Sequence, residues 1–146
     1  MFARHGLWIA AVLGGLAVAL GAFAAHGLES HLARKYADQT RTRAGEEMPA
    51  ARKYLGDFET AARYQMHHAL ALLAVGLLAQ LRPNRSLEAA GWAFFLGIVL
   101  FSGSLYAVVL TGATWWGMIA PIGGTLLVVG WVALAVATCS CRASGP

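Results

Sequence analysis

Four long apolar runs, separated by polar segments, dominate the pattern of residues along the chain. The runs cover about residues 7–28, 58–81, 87–111 and 117–137. A helix needs about 20 mainly apolar residues to cross the hydrocarbon core of a bilayer, and each run reaches that length. The pattern therefore predicts four membrane-spanning helices in a single domain that covers residues 1–146.

The connections between the runs differ in length and polarity. Residues 82–86 and 112–116 form short links, which predict antiparallel helices on either side of each link. Residues 29–57 form a polar loop with six Lys or Arg and five Asp or Glu residues, and so many charges must lie in water. The fold class that follows is all-α: an integral membrane four-helix bundle with up-down topology and some helix around Met48–Leu55.

Composition agrees with a membrane location. Hydrophobic residues make up 58% of the chain, charged residues only 12%, and the mean hydropathy is +0.59. So few charges cannot coat a soluble globule, and apolar surface is too abundant for intrinsic disorder. The acidic residues of the polar loop leave no dense basic patch, so we expect no nucleic acid partner. Nine arginines against two lysines are typical of a GC-rich bacterial genome, and we expect the bacterial plasma (inner) membrane.

The predicted orientation in the membrane depends on whether basic residues are counted over whole loops or only near the ends of the spans. The side with both termini carries Arg4, Arg82, Arg85 and Arg142, three of them within a few residues of a span end. Positive residues close to spans favour the cytoplasmic side, whereas a plain count of Lys and Arg favours a cytoplasmic polar loop. We predict that both termini lie in the cytoplasm.

Small residues recur at helical spacing within the spans. Helices in lipid associate mainly through close packing of such residues, because lipid tails are as apolar as leucine. We expect the small residues to mark helix contacts, and we expect Gly103 to lie at a crossing too tight for a leucine. The positions concerned are Ala11, Gly15, Ala19, Gly97, Gly103 and Gly123.

Polar side chains within the spans gather in the half of the bundle nearer the polar loop, as judged from a rise of 1.5 Å per residue. Glu59 precedes Arg63 by four residues, the favoured order for a helical ion pair. A histidine as deep as His68 is a functional candidate, the alternative being a neutral imidazole bonded to a neighbouring helix. The candidate ligand-binding residues are His26, Glu59, Arg63, Tyr64, Gln65, His68, Ser102, Ser104 and Tyr106.

No known reaction motif accompanies these residues. The sequence contains no G-x-S-x-G, H-E-x-x-H or P-loop motif, and no acidic residue lies deeper in a span than Glu59. His26 and His68 lie on different helices on the same side of the membrane, as two axial haem ligands would. No third ligand stands at metal spacing, so we predict no metal and no cofactor. Cys139 and Cys141 lie at the opposite membrane face and cannot complete such a site.

Four motifs, in order along the chain, are similar to those of a known family. They are the segments Gly21–Leu28, Phe58–Leu73, Leu100–Tyr106 and Ala120–Gly124. They resemble the small four-span membrane proteins of the YgdD / transmembrane protein 256 family, also called domain of unknown function 423. The resemblance implies an integral membrane protein without established biochemistry. Ala24 departs from the usual glycine, and the polar loop is longer than the family linker over about residues 36–52.

Three functions remain open at this point. The first is a structural or accessory subunit that associates with a larger membrane complex or with further copies of the chain. The second is a small-ligand or lipid-binding module with a polar pocket on the loop side. The third is a haem or metal-binding protein that uses His26 and His68. Enzymatic activity is not predicted, because no catalytic motif is present.

Overall fold

In the computed structural model, the described part of the chain folds into five α-helices and one β-hairpin. The structure describes residues 2–140, without the side chains of residues 2–4, 43 and 140, so the predicted positions Cys141 and Arg142 lie outside the described residues. The elements in chain order are α1 (Phe2–Phe23), a π-helical turn (Ala24–Leu28), α2 (Glu29–Lys35), β1 (Thr40–Arg43), β2 (Glu46–Pro49), α3 (Ala50–Leu81), α4 (Arg85–Thr111), a 3-10 turn (Thr114–Met118) and α5 (Ala120–Ser140).

The four long helices lie side by side in chain order. α1 packs on α3, α3 on α4 and α4 on α5, whereas α1 and α4 touch only slightly. Neighbouring helices are antiparallel: Leu7 meets Gly76 at one end of the α1–α3 pair, and Phe23 meets Phe58 at the other. The predicted all-α bundle with up-down topology is therefore confirmed.

Within residues 2–140, three helical segments are long and apolar enough to cross a membrane, namely His5–Lys35, Arg85–Thr111 and Thr114–Cys139. α3 is not among them because its first half carries many polar residues. α3 lies between α1 and α4, so protein covers much of its surface, and the buried Gln65 finds its partners on these two helices. The second predicted span, residues 58–81, falls within α3 and stays a prediction.

The segment predicted to be a polar loop is mostly regular structure. α2 extends the first helix by seven residues, and the hairpin pairs Thr40 with Pro49 and Arg43 with Glu46. The hairpin turn uses Ala44 at φ 52° and Gly45 at φ 88°, the positive values that tight two-residue hairpin turns require. The hairpin is not evident from the sequence, because its strands are mostly polar and show no alternation of apolar residues.

An aromatic core closes the loop-side end of the bundle. The rings of Tyr36 and Tyr54 lie 4.7 Å apart, and both residues are buried. The Tyr36 hydroxyl donates a hydrogen bond to the Val109 carbonyl (3.3 Å), and the Arg41 Nε donates one to the Tyr54 hydroxyl (3.2 Å). This hydrogen bond to Tyr54 raises the pKa of Arg41 above its ordinary value. The polar segment is therefore folded onto the ends of α3 and α4.

Some of the predicted small-residue contacts are formed and others are not. A Cβ on Gly97 would collide with Leu127 of α5, and one on Gly123 would collide with the backbone at Phe101. The expectation for Gly103 is wrong, because nothing lies within 4 Å of the position of its Cβ. Gly103 follows Gly97 by six residues, which is about 240° around the helix, so it faces away from α5.

Candidate functional site

The side chain of Gln65 in α3 connects three helices. Its Nε2 donates a hydrogen bond to the Leu13 carbonyl of α1 (2.8 Å), and its Oε1 accepts one from the Tyr106 hydroxyl of α4 (3.1 Å). Gln65 is only 4% exposed, so water does not compete for these bonds. An amide without partners in an apolar interior is costly, so this pair of bonds favours one relative placement of the three helices.

The two serines of α4 are also buried and hydrogen-bonded. The Ser102 hydroxyl donates to the Ala61 carbonyl of α3 (2.9 Å), and the Ser104 hydroxyl donates to the Phe101 carbonyl of its own helix (2.9 Å). In the part of the chain that the structure describes, every buried side-chain nitrogen or oxygen has a partner. Ser102 therefore joins α4 to α3, whereas the Ser104 hydroxyl bonds within α4.

His68 is buried at 7% exposure and packs among aromatic rings. Its Nδ1 lies 2.8 Å from the Tyr64 carbonyl, one turn earlier in the same helix, which makes Nδ1 the donor. The ring centroid is 5.8 Å from that of Phe94 and 6.2 Å from that of Trp131. The hydrogen bond of His68 therefore lies within α3, and its contacts with α4 and α5 are aromatic. The sequence-based alternative, an imidazole hydrogen-bonded to a neighbouring helix, is not what the structure shows.

The remaining candidates, His26, Glu59, Arg63 and Tyr64, are exposed. The predicted Glu59–Arg63 ion pair is not formed in the described structure, and Lys53 pairs instead with Asp57 one turn earlier in α3. Within residues 2–140, no group of three or more His, Cys, Asp or Glu side chains is placed to hold a metal ion. The structure therefore joins Gln65, Tyr106 and Ser102 into interhelical bonds but leaves His26, Glu59 and Arg63 apart from them.

The polar residues that close the loop-side end were not among the candidates predicted from the sequence. Besides the bonds of Tyr36 and Arg41, the exposed Lys35 Nζ donates to the Leu110 carbonyl at the end of α4 (2.6 Å). The contacts of Lys35 and Tyr36 join the end of α2 to residues more than 70 positions later in the chain, so a local sequence pattern cannot predict them. The left-handed Gly112 (φ +78°), which lies against the Tyr36 hydroxyl, is the one local signal.

Clefts lie at both ends of the bundle among the described residues. Two lie on either side of Arg52 at the loop-side end, with volumes of about 500 and 330 Å³, and the larger includes Glu59. The third, of about 250 Å³, lies at the opposite end and its walls are almost entirely carbon. The larger loop-side cleft is lined by Glu46, Met48, Arg52, Leu55, Gly56 and Glu59. The cleft at the opposite end is lined by Leu78, Leu81, Arg82, Leu87, Ala137 and Thr138.

Comparison with known proteins gives a consistent family. Residues 20–124 match the model of the family described as protein of unknown function (DUF423). A UPF0382 membrane protein of Staphylococcus epidermidis is 42% identical over 84% of this chain and 85% of its own length. The UPF0382 membrane protein YwdK of Bacillus subtilis is 41% identical with the same coverage, and one of Haemophilus influenzae is 41% identical over 88% of this chain and 89% of its own.

No solved structure matches the chain. The bacterial relatives are named membrane proteins, and the apolar helices agree with an integral protein of the inner membrane. The family named in the sequence analysis is the one that the comparisons find. The chain therefore belongs to the DUF423 family, and it is an integral membrane protein of unknown biochemistry.

Proposed function

We propose that the protein is a structural or accessory component of the inner membrane that associates with another membrane protein, or with a second copy of itself, through α1. The observation that carries this proposal is a ridge of small residues on α1 that no other part of the described chain covers. Ala11, Gly15 and Ala19 follow one another at four-residue spacing, and all three are exposed. Nothing lies within 4 Å of the position of a Cβ on Gly15.

The face of α1 that packs within the protein is a different one. Ala10 and Ala17 of α1 and Ala24 of the π-helical turn that continues it recur every seven residues and are each less than 5% exposed. Seven-residue spacing is the repeat of two helices that pack along their length, here α1 against α3. α1 thus carries two small-residue faces, of which α3 covers one.

Other glycines of the bundle lie in close helix crossings. A Cβ on Gly76 would meet Leu7 of α1, and one on Gly130 would meet the ring of Phe94. Small residues in lipid favour association because they let two helix backbones approach closely. By the same principle, the exposed ridge on α1 suits a further helix.

The buried polar groups support a structural role as well. Hydrogen bonds between helices engage Gln65, Ser102 and Tyr106. These bonds would have to break before the three side chains could bind a substrate. Breaking interhelical hydrogen bonds in a membrane costs on the order of 1 kcal/mol each.

Size measurement in a mild detergent or in nanodiscs tests the proposal. After the mass of the detergent or lipid is subtracted, we expect a protein mass above the 15.4 kDa of one chain, either from a second copy or from another membrane protein that co-purifies. Gly15→Leu should abolish the association, because a large side chain on the ridge keeps the second helix away. Gly103→Leu is the matched control, since it adds the same side chain at an open position on α4. A strictly monomeric wild-type protein with nothing bound would contradict the proposal.

A second candidate function is a ligand-binding module, and the loop-side cleft beside Glu59 favours it. The cleft offers the carboxylates of Glu46 and Glu59 and the guanidinium of Arg52, a set that suits a zwitterionic headgroup. Phosphoethanolamine is a direct probe. If the cleft binds it, the compound should raise the thermal unfolding temperature of the wild type but not of Glu59→Gln. An equal response of both proteins would exclude this cleft as the site.

A further inference from the structure

We infer that the cleft at the end of the bundle opposite the polar segment binds one anionic phospholipid. We call this cleft the arginine slot; its lining residues are Leu78, Leu81, Arg82, Leu87, Ala137 and Thr138. An acyl chain would lie along the carbon walls of the slot, and the lipid phosphate would meet the guanidinium of Arg82. The inference is independent of the association through α1.

The shape of the slot suits a hydrocarbon chain. Its walls come from the C-terminal end of α3, the first turn of α4 and the C-terminal end of α5. Leu87 and Ala137 form a buried floor, at 3% and 2% exposure, whereas Leu81 at the edge is 79% exposed. The hydroxyl of Thr138 donates to the Leu134 and Ala135 carbonyls, so it presents little polarity to the slot. A groove with such walls gains dispersion contacts when an acyl chain fills it.

The rim of the slot supplies the charge. Arg82 directly follows the last residue of α3 and is exposed. Its guanidinium makes no ion pair with any residue whose side chain the structure describes. Arg85 begins α4 three residues later at the same end of the bundle. Guanidinium groups bind phosphate oxygens in a planar, two-pronged geometry, which makes arginine a favoured partner of phosphodiesters.

The distribution of acidic residues selects an anionic lipid. The chain has seven Asp or Glu residues, and Glu88 is the only one after Glu59 in the sequence. The other six belong to α2, the polar segment or the start of α3, at the far end of the bundle. The end with the slot therefore has Arg82 and Arg85 close to the membrane surface with Glu88 as their acidic neighbour in sequence, and basic residues at the membrane surface attract anionic headgroups.

A lipid is favoured over free phosphate because the slot has a single guanidinium above an apolar cavity. A site for a free anion normally surrounds it with several donors. Here the walls offer carbon, and only the rim offers charge. Binding should therefore need both the headgroup and the acyl chain.

Thermal unfolding of the delipidated full-length protein in an uncharged detergent tests the inference. We expect dioleoyl-phosphatidylglycerol to stabilise the wild type at a concentration several times lower than dioleoyl-phosphatidylcholine does. Arg82→Gln should weaken the response to phosphatidylglycerol about fivefold, the effect of one basic residue near a membrane surface. Arg63→Gln is the matched control, because Arg63 is an exposed arginine nearer the other end of α3. Native mass spectrometry, which counts bound lipids, gives a second readout that does not depend on stability.

Several results would overturn the inference. Equal responses to the two lipids would mean that the headgroup charge plays no part. No response to either lipid would mean that the slot is closed by the protein itself. An equal response to glycerol 3-phosphate would mean that the acyl chain is not bound. A loss in Arg63→Gln as large as in Arg82→Gln would show a general charge effect with no specific site.

Discussion

The side chain of Gln65 links three helices. Its amide joins α3 to a backbone carbonyl of α1 and to the Tyr106 hydroxyl of α4. Tyr106 also packs its ring on Phe58, with centroids 4.7 Å apart. One tyrosine therefore contributes both apolar area and a hydrogen bond at the same helix interface.

Tyr106→Phe separates these two contributions. The ring contact with Phe58 is retained, but the Gln65 Oε1 loses its partner, so we expect a loss of about 1 kcal/mol in the free energy of unfolding. Tyr64→Phe is the control, because Tyr64 is 42% exposed and its hydroxyl has no described hydrogen bond. Reversible unfolding in mixed detergent micelles measures both variants, and equal stabilities would show that the Tyr106–Gln65 bond contributes nothing.

At the scale of elements, α3 is the central helix and α5 the outermost. α3 packs on both α1 and α4, whereas α5 packs almost entirely on α4. The α4–α5 pair is close because glycines of each helix face the other: Gly97 receives Leu127, and Gly123 lies directly against the backbone at Phe101. Backbone cannot rotate away as a side chain can, so Gly123 is the most constrained position of this pair.

The two glycines Gly123 and Gly103 should respond in opposite ways to alanine. Gly123→Ala forces the backbone of α4 and α5 apart, and we expect a loss of about 1–3 kcal/mol in stability, the range for overpacked sites. Gly103→Ala adds a methyl group to open space within a helix, where alanine is favoured over glycine, so stability should stay the same or rise. Thermal unfolding in detergent measures both variants, and destabilisation by Gly103→Ala would show that an unseen partner covers that face.

At the scale of the whole molecule, the two ends of the bundle differ. One end is closed by the hairpin and by the contact between the tilted rings of Tyr36 and Tyr54, and it carries most of the acidic residues. The other end carries Arg82, Arg85 and the arginine slot. Arg82 and Arg85 lie directly at the ends of α3 and α4, and basic residues so close to a span favour the cytoplasmic side, so we expect this end in the cytoplasm.

Cysteine labelling in intact bacteria tests this orientation. In a Cys141→Ser background, Glu47→Cys places a thiol on the exposed hairpin. We expect a membrane-impermeant maleimide to label Glu47→Cys in intact cells, because the hairpin end should face away from the cytoplasm. Cys139, which is exposed at the opposite end, should react only after the membrane is permeabilised. The reverse pattern would place the termini outside.

The sequence by itself determined the membrane location, the all-α class, the up-down order and the family. These properties depend on the length and spacing of apolar runs and on local motifs, all of which are visible along the chain. The sequence pattern also correctly predicted that Gly97 and Gly123 lie at helix contacts. The outward position of Gly103 was within reach, because helical phase relative to Gly97 gives it.

Only the tertiary structure decided which polar groups meet. It pairs Gln65 with Tyr106 and with the Leu13 carbonyl, and it leaves the Glu59–Arg63 pair unformed. It also folds the polar segment into a hairpin and brings three helix ends together around the arginine slot. The contacts of Gln65 join residues more than 40 positions apart, and they depend on how each helix is rotated against its neighbours. Packing across the whole bundle sets that rotation, so it cannot be predicted from any one segment of the sequence.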